Sequence, residues 1–71
     1  MVTRQGIINT LRLKYESKIA KAKENIEVYL TQASATEEMR TVLAVDNEMK
    51  VIADTEKKLQ VIADHYTPSK I

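Results

Sequence analysis

Apolar residues recur every three or four positions along two stretches of the chain, residues 4–33 and 37–66. This spacing places them on one face of an α-helix, whereas a half-buried strand would alternate apolar and polar residues. The first stretch has one narrow stripe: Ile8, Leu11, Tyr15, Ile19, Ala22, Ile26, Tyr29 and Ala33. The main stripe of the second stretch is Val42, Val45, Met49, Ile52, Leu59, Ala63 and Tyr66. The pattern predicts two amphipathic helices of similar length.

A short polar link, Ser34-Ala35-Thr36, separates the two predicted helices. Either hydroxyl of the link can cap the second helix, because Glu37 and Glu38 follow in its first turn. A capping hydroxyl accepts a backbone N–H, and acidic side chains interact favourably with the positive end of a helix. The link is therefore predicted to end one helix and to start the next.

The rival interpretation is one continuous helix, since neither Gly nor Pro interrupts the link. Ala33 and Met49 are 16 residues apart, so at about 100° per residue the two stripes would lie about 160° apart on a single rod. A coiled coil needs one continuous seam, and the change of phase therefore favours a hairpin. Thr3 is a suitable N-cap for the first helix, and Pro68 ends the second before a tail of residues 67–71. We predict a single all-α domain over residues 1–71, an antiparallel two-helix hairpin.

Composition supports a helical protein and sets its size. The chain has 71 residues, of which 44% are apolar and 30% charged, with one Gly, one Pro and no Cys. A two-helix hairpin of this length has little interior, so we expect oligomerisation or docking on a partner to complete its core. The missing cysteines exclude disulfides. The sequence contains neither an 18-residue apolar run nor a signal-peptide pattern. We therefore expect a cytoplasmic protein that does not interact with a membrane.

The second helix has apolar residues outside its main stripe, and we interpret them as a second face. Ala44, Val51 and Ile62 lie close together on a helical projection, with Leu43 and Val61 flanking them. A helix that is apolar on two sides commonly contacts two neighbours. We predict that Leu43, Ala44, Val51 and Ile62 bind a partner, which is either a second copy or a larger protein assembly. The alternative is that they are tolerated surface residues.

The sequence contains no catalytic signature. His65 is the single histidine, and without cysteines a zinc site would need mostly carboxylates, which is unusual. Glu56 interrupts the main stripe of the second helix, where it could pair with a lysine or a tyrosine hydroxyl or fix the register of an interface. Neither residue has the neighbouring titratable group and pocket that catalysis needs. We predict a non-enzymatic protein without metal or cofactor.

Three lysines suggest an alternative function. Lys14, Lys18 and Lys21 follow one flank of the first helix, with Ser17 and Asn25 beside them. Such a row could contact phosphates, and a dimer would double it. The layout is similar to that of small RNA-binding helical hairpins. However, the net charge is only +1, and the flank has neither Arg nor an aromatic residue, so a solvated face is the simpler interpretation.

The first helix also carries a family resemblance. The residues concerned are Thr3-Arg4-Gln5, Ile7-Ile8, Leu11, Lys14-Tyr15, Ile19-Ala20, Ala22, Asn25-Ile26 and Val28-Tyr29-Leu30. They resemble the opening of short proteins of tailed bacteriophages, a group that has no catalytic motif. The resemblance implies a virion accessory, an assembly factor or a modulator of a host protein, located in the host cytoplasm or on the virion. We therefore expect a structural or interaction module, with a dimeric nucleic-acid-binding hairpin as the alternative.

Overall fold

The computed structural model describes residues 3–32 and 38–66, and these residues form two long helices. Helix α1 is Arg4–Gln32, and helix α2 is Glu38–Val61. A π-helix, Ile62–Tyr66, continues directly from α2. No strand occurs within the described residues. The predicted all-α fold is confirmed; the link at residues 34–36, its caps and the tail at residues 67–71 lie outside the described residues.

The start of α1 confirms the cap expected from the sequence. The backbone N–H of Gly6 donates a hydrogen bond to Thr3 Oγ1 at 2.9 Å, and that of Ile7 donates to the Thr3 carbonyl oxygen at 3.0 Å. The first bond satisfies one of the N–H groups that every helix leaves free in its first turn, and the second is the first backbone bond of the helix. A Cβ atom at position 6 would lie 3.1 Å from Thr3 Oγ1, so glycine leaves room for the cap.

Contacts between the helices show an antiparallel hairpin. Asn25 Nδ2, near the end of α1, donates to Glu48 Oε2, in the first half of α2, at 3.4 Å. At the opposite end of the molecule, the Arg4 guanidinium carbon lies 5.9 Å from the centroid of the Tyr66 ring. The start of α1 therefore lies beside the end of the π-helix, as the hairpin prediction requires. The molecule measures 53 × 24 × 16 Å, which is the shape of two helices side by side.

The predicted stripe of α1 forms one wall of the core. Ala22 and Ile26 are buried, and Ile8, Leu11, Tyr15 and Ile19 are half-buried. Tyr29 is exposed, contrary to prediction, and Ala33 lies outside the described residues. Three apolar residues are buried within the described part of the chain: Ala22, Ile26 and Ile62. The core is thin because each helix can cover only one stripe of its neighbour.

Candidate interaction surfaces

The face that α2 turns toward α1 differs from the predicted one. Val42 and Met49, expected in the core, are 53% and 54% exposed. Ala63 and Tyr66 are exposed as well. Val45, Ile52 and Leu59 are half-buried, so only this part of the predicted stripe contacts the core.

Of the four residues predicted to bind a partner, Ile62 is covered by the hairpin itself. Ile62 is 6% exposed and belongs to the core, and Ala44 and Val51 are half-buried. Only Leu43 is exposed as expected. The substitution Ile62→Lys would therefore put a charge in the core and disrupt the hairpin itself.

The difference has a simple physical origin. On α2 the apolar residues cover more than one face, so periodicity alone allows several orientations of the helix about its axis. The structure places Thr55, which is 3% exposed, at the centre of the buried face. Apolar residues on one side of Thr55 remain near the surface, and we call them the outer apolar flank: Val42, Val45, Met49 and Ile52. Their spacing of three, four and three residues makes this flank continuous along α2.

The three lysines singled out in the sequence lie together along one open groove. Lys14, Lys18 and Lys21 line a groove of about 570 Å³ between the helices. Ala22 and Val51 also line it, and Glu48 of α2 contributes a carboxylate. No ion pair involves the three lysines in the part of the chain that the structure describes. The groove thus has a basic side, while the carboxylate reduces its attraction for phosphate.

The two other titratable residues discussed above lie at the surface. Glu56 is exposed, so its predicted position in the core is wrong. His65 is also exposed, and its ring lies edge-on to that of Tyr66, with centroids 6.3 Å apart. Among residues 3–32 and 38–66, no three His, Asp or Glu residues are grouped as metal ligands. None of the described helices is long and apolar enough to cross a membrane.

Two features of the interface between the helices were not predicted from the sequence. Thr55 is the most buried residue of α2, although a polar residue amid charged neighbours gives no sign of burial. Lys58 Nζ lies 5.5 Å from the centroid of the Tyr15 ring, a cation–π contact between α2 and α1. An antiparallel alignment of the two helices would have shown that Tyr15 and Lys58 lie at the same level. It would not have shown the direction in which the Lys58 side chain points.

The fold and these surfaces place the chain in the broad class of all-α helical hairpins. Comparison with protein-family models, with curated proteins and with solved structures found no match for this chain. The function proposed below therefore depends on the surfaces themselves.

Proposed function

We propose that this chain is a non-enzymatic interaction module that pairs with a second copy through the outer apolar flank of α2. The observation that carries the proposal is the position of Val42 and Met49, two large apolar side chains that are more than half exposed. They are separated by two helical turns and share a face with Val45 and Ile52. Val42, Val45, Met49 and Ile52 therefore form one continuous apolar stripe on α2.

The exposed surface area of the chain supports association. The chain exposes 5920 Å². A compact folded monomer of its mass, 8.1 kDa, would expose about 4,500 Å². The radius of gyration is 16.3 Å, against about 11 Å for a compact domain of 71 residues. The excess area is larger than the roughly 800 Å² that each partner buries in an interface of standard size. A second hairpin can therefore bury what this fold leaves exposed.

A two-fold pair of hairpins is the simplest assembly that uses this surface. Packing one outer apolar flank against its symmetry mate gives a four-helix bundle in which neighbouring helices are antiparallel. Leu30, near the end of α1, is also exposed and would extend the apolar contact beside Val42. The half-buried residues Val45 and Ile52 would then become core residues, as their apolar side chains favour.

The test is the molecular mass in solution. The natural chain is expected to be a dimer by light scattering at micromolar concentration and to dissociate on dilution. The double substitution Val42→Lys and Met49→Lys should give a monomer, because two charges would be buried at the interface. Circular dichroism should show that the helices persist, since neither residue belongs to the buried core.

A matched control exists on the same helix. Leu43 and Val61 are about as exposed as Val42 and Met49. Because Leu43 and Val61 are 18 residues apart, which is five helical turns, they lie together on a different face of α2. The double substitution Leu43→Lys and Val61→Lys should leave the dimer intact. A monomeric natural chain, or equal loss of the dimer in both variants, would contradict the proposal.

The setting that we propose is a phage-infected cell, with the pair acting in the host cytoplasm or on the virion. The support for it is the resemblance of residues 3–30 to short proteins of tailed bacteriophages. There the module would be a virion accessory, an assembly factor or a modulator of a host protein. A larger assembly could use the same outer apolar flank in place of the second copy.

Nucleic-acid binding is the second candidate function, and the grouping of the lysines favours it. Lys14, Lys18 and Lys21 line a single groove, and none of them forms an ion pair with another residue of the described ranges 3–32 and 38–66. Phosphate contacts by lysines release counterions, so retention on duplex DNA or RNA should fall steeply with salt. Replacing the three lysines with Gln should abolish retention, while Lys57→Gln, outside the groove, should not. Retention that is unchanged in the triple variant would exclude the groove as the binding site.

A further inference from the structure

A second groove lies at the open end of the hairpin, away from the lysine groove. It has a volume of about 370 Å³ and is lined by both helices and the π-helix. Its lining residues are Ile8, Leu11, Tyr15, Lys58, Val61, Ile62 and Tyr66. Lys58 is the single charged residue among the described residues that line the groove. The volume is within the range of small-molecule sites, and the walls are almost wholly apolar.

The position of Lys58 gives this groove a chemical preference. Its ammonium nitrogen lies 5.5 Å from the centroid of the Tyr15 ring, which keeps the charge at the groove. No carboxylate pairs with it in the part of the chain that the structure describes. An apolar channel beside the Lys58 ammonium complements a ligand that has an apolar body and one negative charge.

The π-helix brings the second aromatic ring to the groove. An i→i+5 turn is wider than an α-helical turn and shifts the following side chains about the axis, and such turns are frequent at functional sites. Here the π-helix carries Tyr66 to a position where its ring lines the groove and lies 5.9 Å from the Arg4 guanidinium carbon. A regular α-helix would turn Tyr66 further around the axis.

We propose that this groove binds a single-chain amphiphile with a carboxylate head group. The alkyl chain would lie against Leu11, Val61 and Ile62, and the carboxylate would accept hydrogen bonds from the Lys58 ammonium. From Ile8 to Tyr15 the groove follows α1 for about 10 Å at 1.5 Å per residue, so a medium-length chain can lie along it. Lys58 lines this groove and Met49 belongs to the outer apolar flank, and the two residues lie on opposite sides of Thr55. Ligand binding in the groove therefore does not depend on self-association through the outer apolar flank.

Decanoate is the probe, and nuclear magnetic resonance of the 71-residue chain is the measurement. Titration with decanoate below its micelle concentration should shift the signals of Leu11, Val61 and Ile62 in a saturable way. Decanol, which lacks the charge, should bind more weakly. The Lys58→Met variant should bind decanoate about three- to fivefold more weakly, the size expected for an exposed ion pair, with decanol unaffected.

Lys57→Met is the matched control, since Lys57 is adjacent in sequence but does not line the groove. It should bind decanoate as the natural chain does. Val61→Asp provides a second variant that should fold, because Val61 is exposed, and its carboxylate should abolish decanoate binding. Shifts spread over the whole protein, equal weakening by the two lysine variants, or binding that Lys58→Met leaves unchanged would overturn the proposal. So would release of monomers by decanoate, which would identify a second copy as the occupant of the groove.

Discussion

The two helices of this hairpin use their apolar residues differently. Helix α1 has one apolar stripe, and its most buried members, Ala22 and Ile26, face α2. Helix α2 places Thr55 at the centre of its buried face and leaves Val42 and Met49 exposed. Pairing within the hairpin therefore uses most of the apolar face of α1 but only part of that of α2. The difference teaches that a helix with one apolar stripe can face its neighbour in only one way, whereas a helix that is apolar on more than one side leaves part of that surface uncovered.

The sharpest test of this contrast compares two adjacent residues, the last of α2 and the first of the π-helix that continues it. Ile62 is 6% exposed and Val61 is 48% exposed. Replacing Ile62 with Ala should lower the free energy of unfolding by about 2 to 5 kcal/mol, because it removes buried methyl groups and leaves a cavity. A hairpin with so thin a core has little stability to spare, so the variant should be largely unfolded at room temperature.

Val61→Ala is the matched control for this prediction. Because Val61 is half in solvent, its truncation should change the free energy of unfolding by less than about 0.5 kcal/mol. Urea unfolding followed by circular dichroism, at one protein concentration for all variants, measures both changes. Equal effects of the two substitutions would show that α2 does not face α1 through Ile62.

A smaller effect is expected from the polar residue at the centre of the buried face. Thr55→Val replaces a hydroxyl with a methyl group of similar size at a site that is 3% exposed. We expect the free energy of unfolding to rise by about 1 kcal/mol, since an apolar group gains more from burial than a hydroxyl does.

Thr10→Val is the corresponding change at an exposed position of α1, and we expect almost no effect. A gain in stability for Thr55→Val and none for Thr10→Val would show that Thr55 of α2 lies in the core and that Thr10 of α1 does not. Destabilisation by Thr55→Val would show instead that the hydroxyl contributes a hydrogen bond that the valine removes.

Much of the fold was predictable because it depends on local chemistry. The cap at Thr3, the extent of α1 and the stripe through Ala22 and Ile26 all follow from residues within a few positions of one another. The lysine row was also predictable, since side chains at i, i+4 and i+7 share a helix flank whatever the tertiary structure. The groove that these lysines line was not predictable, because Glu48 and Val51 on its other side come from α2.

The rotation of α2 could not be predicted, because its apolar residues satisfy two orientations nearly equally well. Rotating α2 about its own axis would bury Met49, which is exposed, and expose Val51, which is half-buried. Both orientations bury aliphatic side chains, so the hydrophobic effect, which has no direction, hardly separates them. Contacts with α1 decide between them through shape, as the burial of Ile62 and the contact of Lys58 with Tyr15 show.

The sequence by itself determined that this protein forms two helices and that they fold back on each other, because helix periodicity and phase are properties of neighbouring residues. Only the tertiary structure decided which side of α2 is covered and which is left exposed. It also decided the groove at the open end, which requires Leu11 and Ile62 to be brought together from distant parts of the chain. Both depend on packing between helices, and packing selects by shape among faces that the sequence makes equally apolar.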